Sequence, residues 1–402
     1  MQKLKVIIAG GGPAGMMAAW QLAGEFDVHL FEKEKMPGQK FLVAGKGGLN
    51  LSKSLPATSM MQRYLPQGVM DSILQDFGPE DLRKWFENIG IETFTGSSGK
   101  IFPAKGTSPA RVLRAILNSL QSRGVKVHLN TKLISFSREM QFGFESEGNR
   151  FEMSADFAVL ALGGASWPVT GSDGKWTELF LKNGVNTLEF QPSNCGVNIL
   201  WPENIRNYHE GKPLKNIRIS AGNLSGKGEV LITEYGLEGS ALYVVIPAVR
   251  KLLSLHQSAF ISLDFKPLIE EDILTAKAEK LLPGTRNYAE TFKLDVIQMA
   301  LIKSYTSKET FQNPYSFTKA IKMLKIPVVS LRPIEEAISS VGGLPLDELN
   351  ADWSLKTFSE IFIAGEMADW DAPTGGYLLQ GCFSSGAYVA DQIKKKSAFK
   401  RT

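Results

Sequence analysis

The chain has 402 residues, with 45 Lys and Arg set against 41 Asp and Glu, a formal charge of +4. That balance gives no electrostatic reason to expect a nucleic-acid partner. The two cysteines, Cys195 and Cys382, lie too far apart for a disulfide framework or a C-x-x-C motif, and His29, His128, His209 and His256 have no metal-site spacing.

The length suggests two or three domains. With no signal segment and so few cysteines, a reducing, cytoplasmic location is expected. Val6 to Gly24 carries no charge, but its apolar run ends in Gly10-Gly11-Gly12-Pro13. That is too short for a span or a signal peptide, so no membrane association is expected.

The first strong signal is Leu4 to Glu32. An apolar run, Val6 to Ala9, enters a turn with G-x-G-x-x-G spacing at Gly10, Gly12 and Gly15, and Met16 to Leu22 continues as a helix. The first glycine allows the tight turn, the second lets backbone approach a pyrophosphate, and the third lets helix and strand pack closely. Pro13 suits a first helical turn, where no N–H donor is needed. The helix N-terminus then offers free N–H groups to phosphate. Glu32 ends a second apolar run, Val28 to Phe31, where a carboxylate accepts from ribose hydroxyls.

Lys33 to Ser52 is glycine-rich, with Gly45, Gly47 and Gly48, and reads as a ligand loop in which Lys40 and Lys46 could meet phosphates and Asn50 and Ser52 make polar contacts. Residues 69–90 have a helical rhythm, Ile91 to Phe94 reads as a strand, and Gly96 to Pro103 is a loop carrying Lys100 and Phe102. Residues 109–123 form an amphipathic helix closed by Gly124. Strands follow at Val125 to Leu129 and Leu133 to Phe136, then a hairpin across Glu147-Gly148-Asn149.

The second strong signal is Phe157 to Leu162, a fully apolar strand ending at Gly163-Gly164. Such runs suit central parallel strands, and a glycine pair at the carboxyl end suits a ligand crevice. Residues 165–174 continue as a turn-rich loop, and Trp176 to Asn183 as a short helix. Gln191 to Gly196 marks a boundary. Short β-like runs follow at Val197–Leu200, Ile217–Ser220, Glu229–Thr233, Ala241–Ile246 and Phe260–Asp264, then a mostly helical stretch. The absence of βα alternation makes 191–330 an inserted domain, β-rich over 191–268 and helical over 269–330. It divides a first domain made of 1–190 and 331–402.

The third signal is the strand Glu360 to Ala364 ending in Gly365-Glu366, then Gly375-Gly376 ahead of a helix from Tyr377 to Ile393. An NAD-only enzyme explains the first signal alone. FAD explains all three, because its flavin end needs contacts from elsewhere in the chain. A carboxylate at Glu366 can bind ribityl hydroxyls, and a helix N-terminus can stabilise the charge of reduced flavin.

The segments GGGPAGMMAA, GQKFLVAGKGGLN, GSSGKIFP, VLALGGASWPVTGSDG, QPSNCG and AGEMADWDAPTGGYLLQGCFSSG resemble those of the BaiN/YhiN-like flavoproteins, most closely the aminoacetone-oxidase-like branch. The resemblance covers nearly the whole chain and is weakest over 197–330. It implies an α/β, glutathione-reductase-type FAD-binding Rossmann-like fold with an inserted β-rich plus helical substrate domain, and non-covalent FAD. It puts the pyrophosphate turn on Gly10, Gly12, Pro13, Ala14 and Gly15, and the ribose acid on Glu32, followed by Lys33. It sets the loop from Lys40 to Asn50, with Gly47 and Gly48, beside the cofactor. Leu133, Ala161 and Gly163 fall on the adenosine side, Gly365 and Glu366 on the ribityl chain, and Gly375, Gly376, Tyr377, Leu378 and Leu379 on the flavin edge. Many relatives carry G-G-x-R-C-N where this chain has Gly47-Gly48-Leu49-Asn50.

The activity implied is an FAD-dependent oxidoreductase in which a small primary amine or amino ketone gives a hydride to flavin N5 and O2 reoxidises the flavin. An alternative is an NAD(P)H-dependent reductase of an enone-like substrate, with NAD(P)H a transient co-substrate. A third is a flavoprotein that binds RNA or a protein partner. Lys100 and Tyr377 are the catalytic candidates, Trp370 and Asp371 candidates for the substrate mouth, and Cys195 a small buried residue. No metal is expected, and the oligomeric state is left open.

Overall fold

A computed structural model describes residues 3–45, 48–281 and 287–400, with no side-chain detail for the last two. Lys46 and Gly47 therefore lie outside the described residues. The chain forms two compact units, one of residues up to Gln191 together with those from Ser339 onward, the other Pro192–Ile338.

The first unit is built on a five-stranded parallel sheet. Its strand β1 (Lys5–Ala9) lies between β2 (Asp27–Phe31) and the strand Phe157–Leu160. The edges are Ile361–Ile363 and Lys126–His128. Val6, Ile7, Ile8 and Ala9 are all buried, as are Phe157 to Leu160, which is why these strands read as continuous apolar runs. Helix α1 (Pro13–Leu22) follows β1 and packs on the C-terminal helix Tyr377–Lys400. A Cβ on Gly386 would lie 2.1 Å from the Ala14 carbonyl oxygen, so this glycine sets the helix spacing.

Two expectations change here. The segment Lys33 to Ser52 is not all loop, since Gln39–Ala44 forms α2 before the chain enters β3 (Ser52–Lys53). The helix expected over 69–90 is two helices, Asp71–Asp76 and Pro79–Asn88. Pro79 has no N–H for the preceding turn and disfavours helical backbone at Gly78. β3 joins β4 (Thr93–Thr95) and β5 (Lys100–Pro103) in a three-stranded sheet with β5 in the middle.

The second unit has a seven-stranded sheet with helices packed against it. Ala241–Ile246, expected as a strand, is helical, with Ser240–Tyr243 followed by Ile246–His256. Ala241, Leu242, Val245, Ile246 and Val249 are buried at helical spacing, and Pro247 sits in the first turn of the second helix. The helical stretch ends at Lys322, before residue 330, because Leu324–Val328 returns to the sheet beside Ala259–Asp264. The second boundary consequently falls after Ile338 rather than at 330.

On β2, His29 Nδ1 lies 3.0 Å from His128 Nε2, and His29 Nε2 lies 3.3 Å from Asp27 Oδ2. Burial lowers the titration of both histidines; Asp27 opposes this at His29, while Lys126 and Lys5 reinforce it there, and His29 and Lys126 do so at His128. The unfolded chain then takes up protons before the folded one. Stability from this pair is complete above about pH 6.5 and is lost as pH falls below it. His128→Gln should therefore shrink the drop in melting temperature between about pH 7 and pH 5.5. An unchanged drop would mean that the pair does not set the acid side of the stability curve.

Candidate functional site

A cleft of about 320 Å³ opens at the carboxyl ends of β1, β2 and the Phe157–Leu160 strand. Gly10, Gly12, Pro13, Ala14, Glu32, Lys33, Lys40, Leu133, Ala161, Gly163, Gly365 and Glu366 line it. Sequence separation is therefore no guide here, because parallel strands deliver their ends to one edge.

Gly10 and Gly15 sit where a side chain would clash with backbone. Gly10 has φ +107°, and a Cβ there would meet the Ala161 carbonyl oxygen at 2.2 Å. Gly15 does not line the cleft; a Cβ there would sit 1.9 Å from the Gly10 carbonyl oxygen, so it holds the helix against the turn. A Cβ built on Gly12 would meet nothing within 4 Å, and among the described residues no side chain caps the α1 N-terminus. The first-turn N–H groups thus face open space, the arrangement that receives a phosphate.

Glu32 accepts from the Gly11 N–H at 2.8 Å and the Glu34 N–H at 2.9 Å. Burial raises its titration, against those two bonds. Each oxygen keeps a lone pair for a further donor. Lys33 Nζ meets Asp173 Oδ2 at 3.0 Å, joining the β2 end to the loop after Gly164. Burial pushes Asp173 up, but the Lys33 hydrogen bond and charge outweigh it and hold it below the usual range. At the other end, Lys40 Nζ bonds Glu366 Oε2 at 3.0 Å and Ser166 Oγ at 2.8 Å. Asp173 and Ser166 were read only as turn residues. Their signal was the density of polar residues after a strand that ends in glycines.

Gly48, Asn50, Lys100 and Gly375 to Leu379 do not line that cleft; several of them gather where β3 and β5 meet the start of the C-terminal helix. A Cβ on Gly376 would lie 2.6 Å from the Ser52 carbonyl oxygen, and one on Gly375 would lie 3.9 Å from Lys100 Cε. The fully buried Tyr64 donates to the Tyr377 carbonyl at 2.7 Å, and Gln380 bridges Ser52 and Ser384. Leu378 and Leu379 are partly buried against the core. Asn50 Oδ1 is buried with no hydrogen-bond partner among the described residues. Trp370 and Asp371 do not line the cleft either. They are buried, at 2% and 6% exposure, and Trp370 Nε1 donates to the Gly365 carbonyl instead. Cys195 and Cys382 are buried and form no disulfide among the described residues.

The family model described as HI0933-like protein Rossmann domain matches residues 4–392. The chain belongs to that family. As a member of the HI0933-like family, it is an FAD-dependent oxidoreductase. A 3-dehydro-bile acid delta(4,6)-reductase of Clostridium scindens is 23% identical over 96% of this chain and 98% of its own length. Two solved structures share the fold. The 3-ketosteroid delta1-dehydrogenase of Sterolibacterium denitrificans has a TM-score of 0.52 at 13% identity, covering 98% of this chain and 100% of that one. The quinol fumarate reductase FrdA of E. coli has a TM-score of 0.51 at 13% identity, covering 100% of this chain and 72% of that one.

The HI0933-like site fits FAD on its own geometry. A Cβ built on Gly12 would meet nothing within 4 Å at the helix N-terminus, and Asn50 Oδ1 is a buried acceptor with no partner among the described residues. Among the described residues no helix is long and apolar enough to cross a membrane, and no group of three His, Cys, Asp or Glu could hold a metal ion.

Proposed function

We propose that this flavoprotein reduces an electron-poor, carbonyl-conjugated double bond, with NAD(P)H as a transient hydride source. The observation that carries this reading is the charge beside the C-terminal helix. Lys53 and Lys100 are direct partners across β3 and β5, and neither has an acidic partner among the described residues. A protonated amine would enter against two ammonium groups. A carbonyl whose oxygen gains negative charge is drawn to the same place.

Bound flavin supplies the two-electron relay between nicotinamide and substrate. The chain's own task is to hold the substrate carbonyl. Tyr377 suits this, since burial raises its titration, against the nearby Arg63 charge, and keeps the phenol protonated as a donor. The cofactor reading assigns Gly10, Gly12, Pro13 and Ala14 to the pyrophosphate, with Gly15 packing the helix behind them, Glu32 and Lys33 to the ribose, Leu133, Ala161 and Gly163 to the adenosine side, and Glu366 to the ribityl chain. The reductase activity of the C. scindens relative supports the direction of reaction.

A second reading, oxidation of a small primary amine or amino ketone by O2, is favoured by Leu49-Asn50 standing where reductase-like relatives carry R-C-N. Anaerobic bleaching separates the two. NADH or NADPH should bleach the visible flavin band, an enone should restore it, and amines should leave it unchanged. Bleaching by amines alone, with peroxide formed when air is admitted, would establish the second reading. A colourless protein that cannot be reconstituted with FAD would remove both.

A further inference from the structure

We propose that the face carrying Lys53, Lys100 and Phe102 binds a carboxylate-bearing substrate with a flat, unsaturated body; the inference rests on the reading that the chain is a flavin-dependent reductase. The register makes the face. Lys53 stands opposite Lys100 and Ser52 opposite Ile101, while Phe94 stands opposite Phe102. Side chains alternate along a strand, so Lys53, Lys100, Phe94 and Phe102 share one side of the sheet. Ser52 and Ile101 take the other side and are buried, at 1% and 3% exposure.

Like charges directly opposite each other destabilise a strand pair. Here no carboxylate lies within ion-pair distance of either amine among the described residues, whereas Lys33, Lys40 and Lys126 of the same unit each have one. Two uncompensated ammonium groups on adjacent strands make a site for an anion with two oxygens. The neighbouring rings of Phe94 and Phe102 stack with centroids 5.6 Å apart and an interplanar angle of 27°. They offer a flat apolar surface beside the cations.

A second, independent feature points to a ligand at the same place. Tyr377 is 5% exposed, and its hydroxyl has no hydrogen-bond partner among the described residues. Lys53 Nζ lies 5.8 Å from its ring centroid. A carboxylate on the lysines, a planar chain on Phe102 and a carbonyl within reach of Tyr377 together describe an unsaturated keto acid or aryl-conjugated acid.

The test is calorimetric titration of the FAD-loaded protein with cinnamate and with cinnamamide, which share a shape and differ in charge. Cinnamate should bind at least about tenfold more tightly, and more weakly as salt is raised. Lys53→Met and Lys100→Met should each lose about tenfold for cinnamate and nothing for cinnamamide. Both should melt at or above the parent temperature, because each removes a like-charge repulsion. Equal affinity for the two probes, or cinnamate binding unaffected by both variants, would overturn the proposal. So would variants that shift the flavin reduction potential while leaving cinnamate binding intact, since the lysines would then serve the cofactor's charge alone. A protein bleached by NAD(P)H that ignores cinnamate keeps the reductase reading and loses this site. One that binds cinnamate through the lysines but resists NAD(P)H does the reverse.

Discussion

A Gly12→Val chain should fold normally and fail to retain FAD. Gly12 has φ −78° and ψ 179°, an extended conformation open to any residue, and its Cβ would meet nothing within 4 Å. Its stability without cofactor should stay within about 0.5 kcal/mol of the parent. The new side chain, however, fills the space through which a pyrophosphate approaches the α1 N-terminus. FAD affinity should fall by about 100-fold or more, equivalent to about 3 kcal/mol. Gly10→Val supplies the contrast. There φ is +107° and the Cβ would sit 2.2 Å from a backbone oxygen, so the fold itself is strained, by about 3 kcal/mol or more. Thermal melting of the apoprotein and titration of flavin fluorescence read the two effects apart. A Gly12→Val protein with the parent FAD affinity would place the pyrophosphate elsewhere.

The second large effect is expected at Lys40 and Glu366. Their side chains keep only 27% and 13% of their exposure, so the pair is largely, though not wholly, withdrawn from water. Lys40→Met leaves the more buried partner, a carboxylate, without its cation and facing the region assigned to the cofactor's ribityl chain. We expect a loss of about 2 kcal/mol, below the range for fully buried pairs because Lys40 is partly solvated. FAD affinity should weaken in parallel, by about tenfold. Glu366→Gln should cost less, since Lys40 keeps its bond to Ser166 Oγ at 2.8 Å. The double variant Lys40→Met, Glu366→Leu should recover much of the stability lost in Lys40→Met alone, because it removes the stranded charge. A double variant no better than the single one would show that packing, not charge, sets the cost.

Some errors of sequence reading have a common cause. Ala241 to Ile246 is apolar throughout and could be strand or helix on pattern alone; burial on one helical face decided it. Trp370 and Asp371, candidates for the substrate mouth, are buried. Trp370 donates to the Gly365 carbonyl, a contact no spacing encodes. Lys53 drew no attention, being one lysine among many. It matters only because β3 and β5 pair in a register that sets it against Lys100, 47 positions later in the chain.

What the sequence by itself determined is the local and periodic part. The Gly10–Gly15 turn, the apolar parallel strands, the acid at Glu32 and the glycine-led C-terminal helix each follow from backbone conformations and burial patterns that neighbouring residues specify. What the tertiary structure decided is which distant side chains meet. It joined Lys33 to Asp173, Lys40 to Glu366 and Ser166, and Lys53 to Lys100, because strand register and sheet order bring together groups whose separation along the chain carries no information about distance in space.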